Sequence, residues 1–105
     1  MKPAALFLAS LLVAGAAIAN DETALARSKN CMACHAIEKK GVGPSYKDIA
    51  KRYAGQEGVE AKLAETIIKG GKGAWKMELG AAMPPNTSVK PPEAARLVQW
   101  ILGLK

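Results

Sequence analysis

The stretch Cys31-Met32-Ala33-Cys34-His35 holds both cysteines and the single histidine of a 105-residue chain. Four chemistries use two thiols this close. A disulfide across so short a loop restrains the unfolded chain little. A thioredoxin-like redox pair needs a preceding strand, and no alternating β-branched run comes before Cys31. A structural zinc site takes four Cys or His ligands, and the chain offers three. Covalent haem attachment at C-x-x-C-H remains, and its chemistry suits the spacing. Two thiols add to two vinyl groups on one edge of a porphyrin, and the adjoining imidazole turns under the iron.

Toward the N-terminus, Lys2 precedes an apolar run from Ala4 to Ala14, then small residues ending in Ala17-Ile18-Ala19. A positive start, a short apolar stretch and an A-x-A site predict a secretory leader, residues 1–19, cleaved after Ala19. The run is too short to span a bilayer, so stable membrane insertion after cleavage is not expected. The single mature domain is residues 20–105, located in the periplasm. Removing the leader takes away the only phenylalanine, Phe7. What is left is small and poor in large apolar side chains, a size at which chains need a disulfide, metal or cofactor as support. A flat apolar haem would fill such a core.

Beyond the leader, the patterns are helical. Asp21 caps a first helix leading through Ala24, Leu25 and Ser28 to the cysteine motif. Gly41, Gly43 and Pro44 mark a loop. Ser45 opens a segment with Tyr46, Ile49, Ala50 and Tyr53 at i, i+3, i+4, i+7, ended by Gly55. Residues 59–69 repeat the pattern through Leu63 and Ile67, ended by Gly70-Gly71. Pro91-Pro92 begin a last helix whose face is Leu97, Trp100, Ile101 and Leu104. Tyr46, Tyr53 and Trp100 read as core packing. Nothing reads as a strand, so the fold class is all-α: four or so short helices around one haem.

One histidine supplies one axial iron position. The candidates for the other are Met77, Met83, a lysine, or water at an open site; Met32 sits beside His35 and cannot reach round the ring. Met83 precedes Pro84-Pro85, which stiffen the backbone and suit a weak thioether ligand. Met77 reads as core filler. Met83 is therefore the expected ligand.

Five segments, in order, are spread along nearly all of residues 20–105: the cysteine motif, Val42-Gly43-Pro44-Ser45-Tyr46, Gly70-Gly71-Lys72-Gly73-Ala74-Trp75, Met83-Pro84-Pro85-Asn86 and Leu97-Val98-Gln99-Trp100-Ile101-Leu102. Together they resemble the small class I bacterial c-type cytochromes, the cytochrome c551/c8 group. The resemblance implies a class I cytochrome c fold and one covalently attached haem c. It implies thioether bonds from Cys31 and Cys34, and His35 and Met83 as axial iron ligands. It implies that the Pro44 carbonyl accepts the outer N–H of His35, that Trp75 bonds a haem propionate, and that Asn86 lies beside the methionine sulfur. The chain departs from the group in a longer connection, residues 76–82, and in Thr66, where some relatives carry an arginine for a propionate.

The net charge is +6. Single surface lysines are ordinarily solvated, but a positive ring around a haem edge steers encounter with acidic partners. Nucleic acid is a poor fit, because no stacking aromatics lie among the basic residues. There is no spare histidine, no serine triad and no evident carboxylate pair, so an enzyme is not expected. The reading is a monomeric periplasmic one-electron carrier. By resemblance its partners include a quinol–cytochrome c reductase upstream and a nitrite reductase, terminal oxidase or photosynthetic centre downstream. The rivals are an open-site haem enzyme or gas sensor, and a haem-free module with a Cys31–Cys34 disulfide.

Overall fold

The computed structural model describes residues 21–76 and 81–105. The expected leader, residues 1–19, and Met77 lie outside the described residues. The order of elements is α1 (Thr23–Ser28), a 3₁₀ turn (Cys31–Ala33), α2 (Tyr46–Tyr53), α3 (Val59–Lys69) and α4 (Pro91–Leu102). The fold is all-α, and α4 is its hub, packing against α2, α3 and α1.

Each helix begins and ends for a local reason. In α1 the N-cap is Glu22, not Asp21. Asp21 sits one residue earlier and accepts the Thr23 N–H at 2.9 Å, so it serves the same end from outside the cap. In α2 the Ser45 hydroxyl accepts the Asp48 N–H at 3.1 Å, relieving one of the unpaired first-turn donors. Two further donors, the N–H groups of Tyr46 and Lys47, reach the carbonyls of Ala36 and Ile37 at 2.9 and 3.0 Å. That pairing fastens the start of α2 to the chain just past His35. Helix α3 runs from the left-handed Gly58 to Gly70, whose φ is +81°. Helix α4 opens on Pro91, which has no N–H to leave unpaired; the Glu93 carboxylate accepts the Lys90 N–H at 2.9 Å.

The buried stripe of α4 is Ala94, Leu97, Val98 and Ile101, with Trp100 beside it. That is the i, i+3, i+4, i+7 period of a core-facing helix. The expected face included Leu104, but the helix stops at Leu102 and Leu104 is only half-buried. Tyr46 is buried and meets Trp100 edge-on, with ring centroids 5.5 Å apart. Tyr53 corrects the expectation of core packing. It is half-buried, as are Ile49 and Leu63, and all three line a cavity. The apolar residues that should meet at the centre of the bundle therefore surround a hollow.

Among the described residues, a single antiparallel bridge, Gly71 to Met83, joins two loops. No helix among the described residues is long and apolar enough to cross a membrane.

Candidate haem site

The 3₁₀ turn carries the cysteines. Cys31 opens the turn and Cys34 caps it, and both line the same cavity. The turn is entered through Asn30 at φ +64°, a left-handed conformation that asparagine tolerates. It is closed by the N–H groups of Cys34 and His35, which both reach the Cys31 carbonyl, at 3.2 and 3.0 Å. Both thiols are free. Burial pushes the Cys31 thiol above its ordinary value, only partly opposed by the Tyr46 hydroxyl beside it. Burial likewise pushes the Tyr46 phenol up, reinforced by Cys31. Both groups are neutral at pH 7.

His35 is held on two sides. Its Nδ1 lies 2.7 Å from the Pro44 carbonyl oxygen. A carbonyl can only accept, so Nδ1 carries the proton and Nε2 keeps the lone pair that a metal needs. Tyr46 stacks on the imidazole with centroids 5.0 Å apart and planes 20° from parallel. A Cβ on Gly43 would stand 2.6 Å from Cε1 of the ring and 2.9 Å from Nδ1. Glycine is required there by space.

Met83 belongs to the other loop. Its N–H donates to the Gly71 carbonyl at 2.8 Å and its carbonyl accepts the Gly71 N–H at 3.0 Å. The two prolines are not all that stiffens this segment. The bridge to Gly71 is a second restraint. Gly70 makes it feasible, because a Cβ there would come within 2.7 Å of the Met83 carbonyl oxygen. Asn86 ties the far end of the loop down. Its N–H donates to the Ile67 carbonyl at 3.1 Å, and its Nδ2 donates to the Lys29 carbonyl at 2.8 Å.

These pieces line one cavity of about 720 Å³, within the usual range for cofactor sites. Cys31, Cys34, His35, Pro44, Trp75, Met83 and Asn86 all contribute to its wall, and Leu97, Val98 and Ile101 of α4 give it an apolar side. Another hollow, about 490 Å³ over the turn between α2 and α3, contains none of the seven. Trp75 meets Tyr53 edge-on at 6.2 Å. Arg52, which no motif in the sequence marks, places its guanidinium over the Trp75 ring, 4.4 Å from its centroid. The available signal was its place one residue before Tyr53, on the cavity side of α2. The donor set fits haem: paired thiols on one turn, an imidazole with a free Nε2, a tethered thioether and an apolar wall.

Fold and site define a helical protein built around one covalently attached haem. The chain belongs to the cytochrome c family: the family model for cytochrome c matches residues 13–105. It is similar to cytochrome c2 of Rhodocyclus tenuis, 55% identical over 86 residues that cover 81% of this chain and 94% of that one. It is also similar to cytochrome c-551 of Pseudomonas aeruginosa, 45% identical over the whole length of both chains. Among solved structures, cytochrome c552 of Nitrosomonas europaea matches with a TM-score of 0.73 at 44% identity, covering 78% of this chain and 98% of that chain. The protein is a small class I c-type cytochrome. It binds one haem c with its iron and carries electrons.

Proposed function

We propose that haem c is bound through thioethers to Cys31 and Cys34, with His35 and Met83 as axial iron ligands, and that the chain shuttles single electrons in the periplasm. The observation that carries this reading is the convergence of two thiols, a histidine of defined tautomer and a loop-borne methionine on one cavity. When bound, the haem supplies a one-electron ferric–ferrous couple. The rest is done by the polypeptide.

Pro44 and Tyr46 hold the imidazole at one angle, so the ligand need not reorient between oxidation states. The Gly71 bridge and the Asn86 hydrogen bonds do the same for the methionine loop. A thioether ligand raises the potential, and the apolar wall disfavours the more charged ferric centre. Trp75 would bond a propionate, and Asn86, its amide tied to the Lys29 carbonyl, would stand beside the methionine sulfur. The leader ends at Ala19 and directs export. The positive surface steers acidic redox partners toward the haem edge, raising encounter rates roughly 10–1000-fold at low salt. Those partners are a quinol–cytochrome c reductase upstream and a nitrite reductase, terminal oxidase or photosynthetic centre downstream. The carrier works as a monomer.

Oxidised and reduced visible spectra, with the intact mass of the exported protein, test the assignment. One haem added to the mass of residues 20–105 is expected, with the weak ferric band at the red edge that reports sulfur–iron bonding. In Met83→Ala the haem stays attached, the potential falls and external ligands bind. An unchanged potential would move the sixth ligand to Met77 or a lysine, and a polypeptide with no added mass would end the haem assignment.

A further inference from the structure

The cavity wall carries four bases, Lys29, Arg52, Lys62 and Lys72, and no aspartate or glutamate among the described residues. A pocket for an uncharged porphyrin would need none of them. Haem c, however, brings two carboxylates as well as iron, and a wall of one sign suits a dianion.

The four bases are not equivalent. Lys29 is already engaged, donating to the Ser88 carbonyl at 2.8 Å and lying 3.5 Å from Glu93. Lys62, Lys72 and Arg52 are all exposed, and the two lysines are ammonium groups on flexible stems. Arg52 is held in place. Its guanidinium carbon lies over Trp75, 4.4 Å from the ring centroid, and over Tyr53 at 5.4 Å. One arm, Nη1, donates to the Ala74 carbonyl at 2.6 Å. That single carbonyl leaves most of the five N–H donors of the planar fork uncommitted. A guanidinium fixed by an aromatic plane and one backbone carbonyl has little freedom left to lose when it takes up a carboxylate bidentately.

We propose that Arg52, seated on Trp75, is a carboxylate-binding residue of this site and neutralises one propionate of the haem. The proposal rests on the haem assignment above. It gives Trp75 two roles, platform for the guanidinium and neighbour of the same carboxylate. It also links α2 to the Gly73–Trp75 loop through the cofactor. Besides the two thiols and His35, the charged and titratable groups that share the cavity wall with Arg52 are Tyr46 and Tyr53 on its own helix, Lys29, Lys62 on α3 and Lys72 in the loop.

The test is the midpoint potential of the holoprotein followed across pH. Arg52→Gln leaves an ionised carboxylate uncompensated, which favours the ferric state, so the potential at pH 7 falls. Without the cation the carboxylate also takes up its proton more readily. The pH-dependent drop in potential therefore moves upward by about one pH unit. Arg52→Lys, whose ammonium cannot lie flat on an indole, shows a smaller shift in the same direction. Lys51→Gln removes the same charge from the next position of α2, outside the cavity wall, and leaves the curve unmoved.

An Arg52→Gln or Arg52→Lys curve that overlies the parent overturns the proposal, as does a Lys51→Gln shift as large as that of Arg52→Gln. Should Arg52→Gln yield no holoprotein, the lysine variant decides alone. Haem content is read by mass on each sample. A parent protein lacking haem would refute the cofactor assignment, whereas loaded variants with unmoved curves would refute only the role of Arg52.

Discussion

Two glycines do at the residue scale what no side chain could. Gly43 lies against the His35 ring, and Gly70 lets the backbone of the Met83 loop pass close to the end of α3. Gly70 is doubly constrained, by its φ of +81° and by the approaching carbonyl. Gly43 is constrained by space alone, so it gives the cleaner experiment. In Gly43→Ala the new methyl drives into the imidazole, which must tilt away from Pro44 or push the loop outward. Overpacking of this kind costs about 1–3 kcal/mol, and each kcal/mol lowers the melting midpoint of a domain this size by roughly 4–8 °C. Thermal unfolding of the holoprotein should show that loss, together with a changed ligand-field spectrum. A melting midpoint equal to the parent's would mean that the loop yields freely and does not orient the histidine.

Among the elements, α4 contributes most to the core and also closes the apolar side of the cavity. Leu97 is 1% exposed and Val98 2%, and burial of such side chains is worth about 1.5–3 kcal/mol each. Leu97→Ala should therefore destabilise the fold by about 2–5 kcal/mol, the range for leucine truncation in a tight core. The covalent attachment should survive, because the 3₁₀ turn that bears the cysteines is a separate element. Denaturant unfolding of the purified haem form measures the first, and mass the second. A loss well under 1 kcal/mol would place the weight of the core on the cofactor rather than on α4. The other helices are shorter and depend more on their ends. In α2 the Ser45 cap and the carbonyls of Ala36 and Ile37 anchor the helix to the same loop that carries His35. Stability of that helix and orientation of the ligand are thus a single property.

Across the whole molecule, the first and last helices are clasped by Glu22 and Arg96. The guanidinium donates through Nε and Nη2 to the two carboxylate oxygens at 3.0 and 3.1 Å. The two partners are unequal, since the Glu22 side chain is 8% exposed and that of Arg96 56%. Removing the arginine strands a buried carboxylate, whereas removing the carboxylate leaves an arginine that water can solvate. Arg96→Ala should therefore lower the denaturant midpoint more than Glu22→Gln does. Equal losses, or the reverse order, would show that the pair is a surface contact without structural weight.

The helices were legible in the sequence, α3 to the residue and α4 at its start, because apolar period, glycine stops and a proline start are local signals; the face of α4 was carried on to Leu104, past its end at Leu102. The two thiols and the histidine were legible for the same reason: their chemistry is written in five consecutive positions. Helix capping by Asp21 was misplaced by one residue, and Tyr53 was assigned to the core when it stands in the cavity wall. Both turn on where neighbouring backbone lies in space. The Gly71–Met83 bridge, the space demanded at Gly43 and the seating of Arg52 on Trp75 join residues from 8 to 23 positions apart. No periodicity announces such meetings. Composition and local pattern determined that this chain is helical and takes a covalent haem. Only the packing of α2, α3 and α4 around a hollow decided which side chains face it, since that depends on how three separate amphipathic surfaces close on one another.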